Sequence, residues 1–142
     1  MLLPISTLQS TSIGQRSGHV AVDVELAAAR KERVRMLVDT SATYTVLPAD
    51  LAERLRITEL PRRLRVRLAD GRRKSMRVGT VLVRLLGREA AGTALIGPPG
   101  IDPLLGVEVL EALGLAVDPT SRKLKPTRGH AVLLVSIRGA HA

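Results

Sequence analysis

The sequence predicts an all-β barrel, and three observations carry that reading. The chain breaks into many short segments of β-branched and aliphatic residues, with turn signals between them. One short helical pattern falls in each half, and strands do not alternate regularly with helices as they would in a Rossmann-type sheet. At 142 residues the chain fits one domain, long enough to bury a core without staples. Its 45% hydrophobic content fits a globular chain rather than a disordered one. Tyr44 is the only aromatic residue, so the core must be built from Leu, Val, Ile and Ala.

Residues 1–17 carry Ser, Thr, Gln and Gly without a period and read as a flexible or interface arm. His19 to Leu26 then alternates, with Val20, Val22, Val24 and Leu26 on one face, which is the pattern of a half-buried strand. Arg33 to Val38 forms a second strand; Ala27 to Glu32 between them fits a hairpin turn or a helical turn equally well. Thr43 to Leu47 is rich in β-branched residues and makes a third strand. Pro48 opens a short helix over Ala49 to Leu55, with Leu51 and Leu55 turned inward and Asp50 and Glu53 near its positive end.

Leu64, Val66 and Leu68 alternate with Arg63, Arg65 and Arg67, giving one apolar and one basic face. The turn Ala69-Asp70-Gly71 follows. A two-residue Asp-Gly turn would set Arg65 opposite Met76 and mix the faces. A three-residue loop with left-handed Gly71 sets Leu64 opposite Met76 and keeps them apart. Thr80 to Leu86 and Ala90 to Ile96 form the next hairpin, and Gly97-Pro98-Pro99-Gly100 marks a loop. Leu104-Leu105-Gly106 reads as a buried strand end, with Gly106 permitting close backbone approach near Asp39. A helix over Val107 to Leu113 ends at Gly114. Leu115 to Asp118 and Lys123 to Lys125 flank a turn as short strands, and Ala131 to Ile137 has strand character inside the polar 127–142 tail.

One stretch does not fit a purely structural account. Met36 to Pro48 ends an apolar strand on a carboxylate, Asp39, followed by Thr40, Ser41 and Ala42. Asp is depleted from strands and is rarely buried unless paired. It therefore calls for a partner, a turn role through the following amides, or a chemical role.

Composition removes several chemistries. The absence of Cys excludes disulfides, thiol catalysis and thiolate metal sites. His19, His130 and His141 have no ligand spacing, so no metal and no cofactor is expected; Glu108 and Glu111, three apart on a helix, read as a solvated face rather than a ligand pair. The formal charge of +9 invites a nucleic-acid reading. Against that as a main role, the arginines are scattered along predicted strands, no aromatic platform exists for stacking, and no finger, zipper or phosphate-loop motif occurs. Met1 to Ser10 lacks a secretory pattern and nothing approaches the roughly 20 apolar residues of a membrane span, so a cytoplasmic protein away from the membrane is expected.

The Asp39 stretch resembles the active-site segment of the retropepsin-like aspartic proteases, in which apolar residues lead into Asp-Thr/Ser-Gly-Ala and a further apolar strand. Here it reads Asp39-Thr40-Ser41-Ala42, then Val46-Leu47-Pro48. Leu104-Leu105-Gly106 before a helix is similar to that family's second signature. The resemblance covers residues 18–126, and it implies a closed barrel of the acid-protease type with one or two short helices. It also implies a homodimer in which Asp39 of each chain forms one catalytic dyad, acting on an extended peptide or protein substrate. Thr40, Ser41 and Ala42 would support the dyad. Leu68, Ala69, Asp70 and Gly71 would belong to a flap over the substrate, and Leu104, Leu105 and Gly106 to its pockets. The chain departs from the family in having Ser41 for the usual Gly, and Thr43 and Val107 where retroviral members carry an acid and an Arg. A peptide-binding module with weak or no catalysis is the alternative that Ser41 raises.

Overall fold

The computed structural model describes residues 20–127. The 1–17 arm, the 127–142 tail apart from Thr127, and the strand expected at 131–137 lie outside the described residues. Among the described residues nine strands form: β1 (Val20–Ala27), β2 (Lys31–Val38), β3 (Thr45–Pro48), β4 (Leu64–Arg67), β5 (Arg73–Leu85), β6 (Arg88–Gly97), β7 (Leu104–Leu105), β8 (Leu115–Asp118) and β9 (Lys123–Pro126). Two helices accompany them, α1 (Ala49–Leu55) and α2 (Val107–Leu113). The mostly-β reading with one short helix per half is therefore what the chain adopts.

The main sheet runs β1-β2-β7-β3-β6-β5-β4, and β1 also pairs with β5, so the strands close into a ring. The Ala27 to Glu32 ambiguity resolves as a hairpin, with Val20 opposite Val38 and Ala27 opposite Lys31. Pairing of Glu25 with Arg84 through Ala27 with Leu82 completes the closure. β7 is the short wedge of the ring, parallel to β2 and antiparallel to β3. β8 and β9 make a separate two-stranded sheet.

Alternation decides what goes inside. Val24 and Leu26 of β1, Met36 and Val38 of β2 and Val81, Val83 and Leu85 of β5 point into one core, where they meet Leu51 and Leu55 of α1 and Val109, Leu110 and Leu113 of α2. Fully burying each such side chain contributes about 1.5–3 kcal/mol. A second, smaller cluster of Val46, Met76, Val78 and Leu95 lies apart from it, with Tyr44, Leu64, Val66, Ile101 and Leu104 packed against it.

The β4–β5 hairpin has the register that face parity selects: Leu64 faces Met76 and Arg67 faces Arg73. Leu68 N–H donates to Arg72 O at 2.7 Å, so the loop is Ala69-Asp70-Gly71, and Gly71 takes φ +88° as that loop needs. The structure differs from the expectation of separate strands in one respect. β5 is continuous over 13 residues, carrying the hairpin's return strand straight into the ring. Gly79, which precedes the expected strand Thr80 to Leu86, is held extended by pairing with Ala94.

Candidate active site

Asp39 follows the last residue of β2, and its placement is a consequence of the β7 wedge. Its N–H donates to Leu105 O at 3.0 Å, extending the β2–β7 ladder by one bond. The chain then turns, with Ala42 N–H donating to Asp39 O at 3.1 Å. The next two carbonyls are used as well: Val107 N–H donates to Ala42 O at 2.8 Å and Glu108 N–H to Thr43 O at 2.9 Å. The first N–H groups of a helix lack intrahelical partners, and α2 meets that need with the carbonyls of the aspartate loop. Thr43 and Val107 thus take part in this junction through main-chain bonds and without charge.

Gly106 is what lets the two segments meet. A Cβ on it would lie 2.5 Å from Tyr44 C and O and 2.7 Å from Thr43 O, distances that no side chain tolerates. The close approach expected of this glycine is present, and it is to the backbone of the loop's Thr43 and Tyr44. Thr45 secures the same point from inside. It is 1% exposed, a buried polar residue amid the apolar core, and its Oγ1 accepts from Gly106 N–H at 3.3 Å. In the sequence Thr45 reads only as a strand former. The available signal was its hydroxyl, set between predicted inward positions, which had to find a partner.

The carboxylate itself is half-buried, and Thr40 and Ser41 are exposed. Asp39 Oδ1 accepts two bonds, from Ser41 N–H at 3.0 Å and from Ser41 Oγ at 2.6 Å. The hydroxyl that replaces glycine's hydrogen thus folds back onto the acid of its own chain. Among the described residues no donor reaches Oδ2. One carboxylate oxygen is thus held by the loop, and the other has no partner among the described residues.

The other expected site residues fall in two places. Leu105 is fully buried in the main core, while Leu104 is half-buried against the smaller cluster beside Tyr44 and Val66. Of the two, only Leu104 keeps exposed surface. Leu68, Ala69, Asp70 and Gly71 form the hairpin tip, where Asp70 accepts from Arg72 N–H at 3.0 Å and Arg72 Nε at 2.7 Å. The Arg72 amide first, and its guanidinium second, hold the Asp70 carboxyl below its ordinary value. Glu108 is neither a ligand nor a solvated side chain: Thr93 N–H and Oγ1 donate to its two oxygens at 2.7 and 3.1 Å, tying α2 to β6. Among the described residues no group of three or more His, Cys, Asp or Glu could hold a metal ion. Nor is any described helix long and apolar enough to cross a membrane.

A ring of paired strands, a lone aspartate loop clasped to a Leu-Leu-Gly strand and helix, and a projecting hairpin define a retropepsin-like protein. The chain belongs to the family described as "gag-polyprotein putative aspartyl protease", whose model matches residues 22–112. Among solved structures its fold is similar to that of EIAV protease complexed with the inhibitor HBY-793. The TM-score is 0.53 at 18% identity, covering 75% of this chain and 95% of that one. No curated protein shows significant sequence similarity to it.

Proposed function

We propose that the protein is an aspartic endopeptidase whose working unit is a homodimer. Asp39 of one chain and Asp39 of a second supply the two acids. The observation that carries this reading is the state of Asp39: its backbone and Oδ1 are fixed by the loop, and its Oδ2 is free among the described residues.

Two like carboxylates a few Å apart cannot both ionise, so one proton is shared between them. The ionised member takes a proton from a bound water as that water's oxygen bonds to the scissile carbonyl carbon, and the protonated member gives its proton to the carbonyl oxygen. The resulting tetrahedral diol collapses as the C–N bond breaks. The amine leaves with a proton from the dyad, and the acid product keeps the water's oxygen. Substrate lies extended between the dyad and the β4–β5 hairpin, which acts as the flap, with Leu104, Tyr44 and Val66 offering apolar contact. Incubation of the purified protein with a mixed peptide library at mildly acid pH should give cleavage that Asp39→Ala abolishes; equal cleavage by both would sink the proposal.

Ser41 favours one other reading, a dimeric peptide-binding module with little catalysis. The back-bonded hydroxyl argues for a working acid, because it orients Asp39 instead of obstructing it. Ser41→Gly, which keeps the amide bond and removes the hydroxyl, should lower kcat several-fold at unchanged KM. A large gain in cleavage would mean that Ser41 had disabled the site.

A further inference from the structure

Charge is not spread evenly over this molecule. Residues 62–77 hold eight Lys and Arg side chains and one acid, whereas the remaining described residues hold eleven basic and twelve acidic ones. The β4–β5 hairpin and its approach thus carry a net +7, while the rest of the described chain carries a net −1. What looks like scatter along two strands becomes one surface once they pair. The register places Leu64 and Met76 on the inner face, and alternation then places Arg63, Arg65, Arg67, Arg73, Ser75 and Arg77 on the outer. All six are exposed. Arg77 is paired with Glu59, and Arg63 Nη1 donates to Ser75 O. Arg65, Arg67 and Arg73 have no acidic partner among the described residues. Arg67 and Arg73 stand directly opposite each other, a like-charge pair that costs the hairpin stability unless a counter-charge covers it.

We propose that this outer face docks the phosphate backbone of double-stranded nucleic acid, an activity independent of whether Asp39 is catalytic. Three features select that partner. Protein interfaces have an apolar or aromatic core and few charges there, while nucleic-acid interfaces are polar and strongly positive; this face has no apolar side chain at all. Guanidinium groups match phosphate oxygens through paired N–H donors. A two-stranded β-ribbon also has the width that the major groove of B-DNA admits. Without an aromatic platform the contact reads charge and shape, not sequence, and single strands gain no stacking from it.

A short labelled DNA duplex of mixed sequence, titrated by fluorescence anisotropy at several salt concentrations, tests this with the full chain. Replacing Arg65, Arg67 and Arg73 together by Gln should weaken binding by at least about tenfold and make the log–log salt slope shallower by about 2–3, near 0.9 per lost phosphate contact. Replacing Arg30, Arg33 and Lys123 by Gln removes the same charge elsewhere and should leave that slope in place. In the unmodified protein the duplex should protect Arg65, Arg67 and Arg73 from phenylglyoxal, with Arg30 and Arg33 still reacting; this arm stands even if a variant folds poorly. The proposal is overturned by no duplex binding, by equal loss in the two variants, by uniform protection, or by polyglutamate competing as well as duplex at equal charge, which would make the face a site for acidic polypeptides.

Discussion

The Asp39 loop and the β4–β5 hairpin are anchored to the rest of the fold differently. The loop is held by main-chain bonds: to Leu105, within its own turn, and to the first turn of α2, with Gly106 pressed against Tyr44 and Thr45 beneath. The hairpin pairs its own strands by main-chain bonds, but what its inner face and tip rest on is side chains, an apolar layer over a small cluster and one Asp70–Arg72 tie. Backbone bonds fix a position and leave the side chain free to do chemistry. Side-chain packing leaves a cover that can be changed in charge and sequence without moving its strands. That contrast explains how one exposed face accumulates arginines while, a few strands away, a single added methyl group is not tolerated.

Substitutions at the clasp should therefore do the most damage. Gly106→Ala puts a Cβ into the Thr43–Tyr44 backbone, which cannot rotate aside, and should cost on the order of 3 kcal/mol or more, at or above the usual overpacking range. Urea denaturation measures it; a midpoint equal to wild type would mean that the clasp is far softer than its geometry. Thr45→Val keeps the shape and removes the acceptor of Gly106 N–H, leaving a buried donor unmatched at about 1–3 kcal/mol. Its effect should extend to the loop, seen as faster hydrogen exchange at the Gly106 amide. Exchange unchanged there would show that the 3.3 Å bond contributes little.

The contrast also explains which parts were legible in the sequence. Parity is local, so the alternation of Leu64, Val66 and Leu68 with arginines sufficed to choose the three-residue loop and the Leu64–Met76 register. Leu-Leu-Gly and Asp-Thr-Ser-Ala were legible as motifs. Gly106 signalled that they approach closely, but the particular bonds that join them were not legible, because these run from carbonyls that every residue carries. The continuity of β5 through Gly79 was hidden for the same reason, since the partner strand, not the residue, keeps it extended. Glu108 looked solvent-facing by helix spacing, and only the position of β6 turns it into the acceptor for Thr93.

At the hairpin the expected effects are smaller and depend on pH. Asp70 is held below its ordinary value by the Arg72 amide and guanidinium, so the charged form is the one that the folded tip prefers. A depressed folded value contributes order that is fully present above the unfolded aspartate range, near pH 4, and is lost as pH falls through the lower folded value. At the mildly acid pH of a peptidase assay the tip thus stays tied. Following the Arg72 amide by NMR should show a titration centred below the ordinary aspartate value. Asp70→Asn should abolish that titration and leave the ring's amides unmoved. A midpoint at or above the ordinary value would mean that the tip is not tied by this contact. An Asn variant that shifted the Asp39 loop would show the two regions to be coupled, which their separate anchoring does not allow.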